Sequence, residues 1–278
     1  MSDETLFEKL AAPTGDDDAT RMEKNRHAVE SAFRSEKPQH PRRFYKTASV
    51  APAGEGFAVR LDDRPVRTPG RNLLALPSQA LAEAVAAEWQ AQETHIDPAT
   101  MPLTRLVNAA IDGAGEVAAM RAEMLRYAGT DLLCYRAEDP QGLVDMQNAV
   151  WDPVLAWADD ALGARFVLAG GIMHVGQPAG ALAAIDRALP HGPGLLVAAL
   201  QSLTTLTGSV LLPLALLHGQ TAFDDLWTAA HVDEDWNIRL WGSDREAVER
   251  RAFREAEARA AAAVVAALAS DAGTAPGR

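Results

Sequence analysis

The chain is nearly free of cysteine: Cys134 is the only one in 278 residues. One thiol closes no intrachain disulfide and builds no cysteine-based zinc site, so a reducing compartment is the simpler expectation. Positive charge is also scarce. Against 38 acidic residues stand 26 lysines and arginines, a formal net charge of -12. Long-range repulsion of that sign opposes nucleic acid and anionic membrane surfaces as partners. The opening stretch, MSDETLFEKLAAPTGDDDA, has neither a basic n-region with an apolar core nor an Arg-rich character. It therefore reads neither as a secretory signal nor as a mitochondrial presequence.

Catalytic signatures are absent as well. There is no G-x-x-x-x-G-K-[ST], no G-x-G-x-x-G after a strand, no G-x-S-x-G elbow, no H-E-x-x-H and no EF-hand loop. The seven histidines include no i, i+4 pair. Cys134 lies in the apolar context DLLCYRA and reads as a packed thiol rather than a nucleophile. No cofactor and no metal is expected. One uncharged run, 194–217, has the length of a bilayer span, about 20 residues. Its Gln, Ser and Thr residues, Pro213 and flanks without a Lys/Arg bias argue instead for two buried helices broken at Thr207-Gly208.

What is present divides the chain by period. Residues 1–41 form a polar lead segment, expected to be partly mobile, with room for one short helix. Residues 42–77 alternate short β-branched and aromatic runs with turn signals at Gly54/Gly56, Asp62-Asp63 and Pro69-Gly70, predicting four or five antiparallel strands. This β-rich region has scope to extend to about 100. From Ser78, a helix N-cap, the period becomes helical, with Leu81, Val85 and Trp89 at i, i+4 and i+8. Helices are expected over 102–112, 115–133, 141–162, 178–189, 194–206, 209–218, 221–241 and 243–269, with 165–175 as a strand or extended link. Residues 271–278 form a tail. The expected fold class is α+β: a small β-rich N-terminal domain followed by a larger all-helical domain over 78–270. In that domain Arg105, Asn108 and Asp112 share a helix face. A capped helix bonding to neighbouring loops is favoured over a polar pocket or partner contact.

The densest signal is 223–242, FDDLWTAAHVDEDWNIRLWG, where Asp233, Glu234 and Asp235 sit among three tryptophans. On one continuous helix over 221–241, Phe223, Trp227, Ala230, Ile238 and Trp241 form one stripe, with Glu234 in its middle. Asp233 and Asp235 then point elsewhere as solvated neighbours. A carboxylate among aromatics is costly to bury without a partner. Three readings stay open on the residues alone: a structural ion pair with Arg or Lys, a pKa-raised general acid or base of a small-molecule enzyme, or a polar group set among apolar anchors for another protein.

HVDEDWNIRLWG resembles the signature of an assembly chaperone of the F-type ATP synthase, the family dedicated to the alpha subunit of the catalytic head. Members show Glu, then Gln three residues later, then Trp-Gly four further on. Glu234, Trp241 and Gly242 match, and Asn237 stands where Gln is usual, keeping the amide with a shorter reach. RRFYKTASV, LDDRPVRTPGRNLLALP, AEWQAQETHIDPATMPLTRLVNAAID and GIMHV extend the resemblance in order over roughly 42–268. It implies a protein that is not an enzyme and needs no ATP. Such a protein binds the unassembled alpha subunit and shields its beta-subunit interface. It further implies a monomer when free and a bacterial cytoplasmic member of a family whose eukaryotic relatives work in the mitochondrial matrix. Glu234, Trp227, Asn237, Ile238 and Trp241 are the partner-binding candidates under this reading, which moves the leading interpretation of Glu234 from ion pair to partner contact. The small-molecule enzyme remains the alternative.

Overall fold

Turn chemistry sets out the strands. In the computed structural model, which describes residues 40–171 and 173–269, Gly54 (φ 60°) turns β1 (Ala48–Ala53) into β2 (Gly56–Leu61). The two pair antiparallel from Ala48↔Leu61 to Ala53↔Gly56. Asp62 and Asp63 take the next turn with φ of 45° and 67°. Such values are tolerated by Asp better than by most side chains. The Asp62 carboxylate fixes that turn by accepting the backbone N–H groups of Lys46 and Thr47 at 2.9–3.0 Å. Pro69-Gly70 closes the third turn, beneath an Arg67↔Leu73 bridge. β3 (Arg64–Pro65) and β4 (Ala75–Leu76) both pair antiparallel with β2, completing a four-stranded sheet.

Among the described residues, those from Arg43 onward form one compact unit. The expectations for 1–39 and 271–278 lie outside the described residues. Val59, Leu61, Leu74 and Leu76 of the sheet region share a core with Leu81, Ala82 and Val85 of α1 (Gln79–Gln90), which Ser78 caps. Tyr45 reinforces this seam by donating its hydroxyl to the Trp89 carbonyl at 2.6 Å.

α2 (Pro102–Asp112) is pinned at both ends by side chains from elsewhere. Met101 at its N-cap offers no side-chain bond. The Glu88 carboxylate of α1 instead accepts the N–H groups of Leu103 and Thr104 and the Thr104 hydroxyl, at 2.6–2.8 Å. That satisfies donors a helix start otherwise leaves orphaned. At the far end, Asp112 accepts from Thr68 Oγ1, from Asn72 Nδ2 at 2.9 Å and from the Gly70 N–H at 2.8 Å. The Thr68 and Asn72 bonds hold its carboxyl below the usual range. Arg105 donates to the Pro98 carbonyl and pairs with Glu257. Arg105 and Asp112 of the polar stripe thus bond neighbouring loops and helices, while Asn108 Oδ1 is buried with no hydrogen-bond partner among the described residues.

The expected helix over 115–133 is interrupted. A 3-10 turn (Ala114–Glu116) leads into α3 (Val117–Ala128), and a second 3-10 turn spans Leu132–Cys134. The cause is Asp131. It leaves the helix so that one carboxylate oxygen caps Leu133 N–H and the other accepts Ser209 Oγ, Val210 N–H and Leu211 N–H at 2.8–3.2 Å. Cys134 is buried beside it, and burial pushes its thiol up to about 12.

α4 (Gln141–Leu162) ends at left-handed Gly163. Among the described residues of 165–175 only β6 (Ala169–Gly170) is strand, paired parallel with β5 (Tyr135–Arg136). α5 (Ala179–Ala188) follows. The uncharged run forms α6 (Gly194–Thr207) and α7 (Leu211–Leu217), broken at Gly208 with φ 72°. Leu196, Leu200, Leu203, Leu211 and Leu214 are fully buried. No described helix is long and apolar enough to cross a membrane.

Candidate functional site

The stretch 221–241 is two helices, α8 (Phe223–Ala230) and α9 (Val232–Trp241), so the single stripe expected across it does not exist. The break lies at His231 (φ −123°, ψ 18°) and has a local chemical cause. In an unbroken helix the His231 N–H would donate to the Trp227 carbonyl four residues back. Here it donates to Thr228 at 3.1 Å, and the imidazole Nδ1 takes the Trp227 carbonyl at 2.8 Å. A carbonyl only accepts, so Nδ1 carries the proton. The ring also lies on the Trp227 indole, with centroids 4.0 Å apart. Burial holds the His231 pKa below its ordinary value.

Moving the helix start to Val232 changes what the acidic triplet is. Asp233, Glu234 and Asp235 occupy the first turn of α9, where negative charge favours the helix dipole. The expectation that Asp233 and Asp235 are merely solvated is corrected. Asp233 accepts from Gln147 Nε2 at 2.7 Å, and Gln147 also accepts the Ala137 N–H, so α9 is tied through α4 to the residue that follows β5. Asp235 pairs with Arg251 of α10 (Arg245–Ala269). Glu234 is the least engaged of the three: its side chain is 41% exposed and stands 3.9 Å from both Arg251 and His231. Trp236 lies against α4 where a Cβ on Gly142 would come within 2.8 Å of its ring. Glycine at 142 is what admits that packing.

α9 turns into α10 at Gly242, whose φ of 80° suits glycine. Between the two helices opens a groove of about 870 Å³. Glu234, Asn237, Ile238 and Trp241 line its α9 wall, and Ala247, Val248, Arg251, Ala252 and Glu255 its α10 wall. Four of the five sequence candidates are thus brought together. Trp227 is not among them: it is 5% exposed, stacked on Phe223 within the core. Trp241 is 84% exposed and Val248 49%, an apolar surface displayed rather than hidden. The α10 wall was missed in the sequence. Its signal was the change within α10, where the buried residues all lie between Ala258 and Leu268, leaving the first half charged and outward.

A general acid held in a dry pocket does not match an acid at the mouth of an open groove. A smaller cleft, about 400 Å³ between α4, α7 and α8, is lined by Val150, Pro153, Trp157, Leu212 and Thr228, with Asp225 as the titratable side chain of its lining. Among the described residues no cluster of three or more His, Cys, Asp or Glu side chains is placed to hold a metal.

Comparison with known proteins places the chain among chaperones. The family model described as ATP12 chaperone protein matches residues 42–159, from the sheet into α4. Solved structures carry the likeness further. The Atu1473 protein of Agrobacterium tumefaciens is 47% identical over 82% of this chain and 86% of its own, with a TM-score of 0.78. Atp12 of Paracoccus denitrificans is 38% identical over 81% of this chain and 97% of its own, with a TM-score of 0.75.

Proposed function

The chain belongs to the ATP12 chaperone family, and from that premise we propose that it binds the unassembled alpha subunit of the F-type ATP synthase, shielding the face later covered by the beta subunit. It does so as a monomer, in the bacterial cytoplasm, without nucleotide. The observation that carries the reading is the α9–α10 groove, with Trp241 exposed at its rim beside Glu234.

An orphaned subunit displays an interface-sized apolar patch, and such patches drive aggregation. A protein that binds the patch reversibly competes with self-association by mass action and needs no energy source. Aromatic anchors around one polar group suit that task, because large rings supply contact area while the carboxylate limits promiscuous apolar binding. The test is co-expression of the alpha subunit alone with and without this protein. The reading expects soluble alpha subunit that co-purifies with it. Insoluble alpha subunit at equal expression, or soluble subunit that never co-purifies, contradicts it.

A further inference from the structure

We propose that the α9–α10 groove selects a client segment carrying a lysine or arginine between apolar residues. Its cation goes to Glu234, and its apolar neighbours go to Ile238, Trp241 and Val248. The inference rests on the groove being the client site, and it adds the chemistry of what is bound.

The argument is one of unspent charge. Among the described residues, four carboxylates line the groove, those of Glu234, Asp235, Asp244 and Glu255, against one cation, Arg251. Three of the four have close partners. Asp235 pairs with Arg251, which also binds α10 to α9. Asp244 accepts the N–H groups of Glu246 and Ala247 at 3.0–3.2 Å, capping α10. Glu255 pairs with Arg259 at 2.7 Å. Among the described residues Glu234 has only the two ion contacts at 3.9 Å, too long for hydrogen bonds. The groove therefore presents one carboxylate with open acceptor capacity, beside an indole whose face attracts cations. The chain's net charge of -12 adds a long-range field of the same sign. An acidic segment would meet repulsion, and a purely apolar one would leave Glu234 partly desolvated without a close hydrogen-bond partner.

The experiment uses the full chain, the intact alpha subunit, and overlapping fluorescent peptides tiled along that subunit, read by anisotropy at low and high salt. The expected result is that the bound peptides contain Lys or Arg flanked by apolar residues and weaken as salt rises. Glu234→Gln should weaken them about tenfold, equivalent to about 1.4 kcal/mol. It should change the same peptides with Lys or Arg replaced by Gln by less than about twofold, within the scatter of neutral surface changes. Trp241→Ala should weaken both sets. Glu234 is partly exposed, so unchanged circular dichroism for its variant is expected and is checked first. The charge inference is overturned if the intact subunit is held but no cationic peptide binds, or if Glu234→Gln weakens charged and neutralised peptides alike. Failure to hold the intact subunit at all overturns the parent reading instead.

Discussion

Two stretches of this molecule invite opposite guesses about burial. Residues 194–217 carry no charge, have a bilayer-like length, and form the buried pair α6 and α7. Residues 232–255 mix charges with tryptophan, and display one of those tryptophans to solvent. The first stretch is held by packing, with Leu200, Leu203, Leu211 and Leu212 fully buried. The second is held at a few named points: Asp233 on Gln147, Trp236 over Gly142, and Asp235 on Arg251. Hydrophobicity alone tells where a core lies. A large aromatic side chain left exposed beside a carboxylate with no close hydrogen-bond partner is the kind of surface on which the proposed client contact rests.

That contrast can be broken by mutation, and the largest effect should fall in the core. Leu203→Ala removes a fully buried side chain from α6 and should cost about 2–5 kcal/mol in urea denaturation. Client capture should fall only as far as the fold does. A cost near zero would mean that the α6–α7 pair is less tightly packed than described.

Next comes the buried carboxylate joining these elements. Burial pushes Asp131 up to about 6, against the pull of hydrogen bonds from Ser209, Leu133, Leu211 and Val210. The folded value lies above the unfolded 3.8, so the folded chain holds the proton more tightly. The contribution of this group to stability therefore falls as pH rises from about 4 through about 6. A carboxyl-carbon NMR titration should place Asp131 near 6 and Asp112, which is held down by Thr68 and Asn72, below 3.8. Overlapping titrations would contradict the assignment of one as buried and the other as hydrogen-bonded at the surface.

Smaller and more local, Asp112→Ala should free the 68–72 turn from α2. Amide exchange should quicken at Gly70 and Asn72 while the α6 core stays protected. Smallest in stability is Trp241→Ala. A side chain 84% exposed should change folding by no more than about 0.5 kcal/mol, yet client binding should drop at least about tenfold. Equal losses from Leu203→Ala and Trp241→Ala in both assays would erase the distinction between core and groove.

Much of this arrangement was legible in the sequence because its signals are local. The turns at Asp62-Asp63 and Pro69-Gly70, the cap at Ser78 and the break at Thr207-Gly208 each rest on a residue's own backbone preference. What was hidden depends on distant partners. Gly129 offers a local helix stop within 115–133, but nothing in that stretch announces that Asp131 reaches Ser209, 78 positions away. The break at His231 carries neither Gly nor Pro. It arises because an imidazole nitrogen takes the carbonyl its own N–H would have used. Reading a helix through it attached Trp227 to a face it does not share and set aside Asp233 and Asp235, which hold α9 in place. One available signal pointed the right way: three acids in succession mark a helix's first turn as readily as an exposed middle.

The central claim is that the exposed groove, rather than the core tryptophan, meets the alpha subunit. The most direct measurement is the yield of soluble alpha subunit co-purifying with the wild type, Glu234→Ala and Trp241→Ala, each verified as folded by thermal melting. The account predicts full yield with the wild type and a drop of at least about tenfold with either groove variant at unchanged melting. Undiminished capture by both folded variants would contradict it.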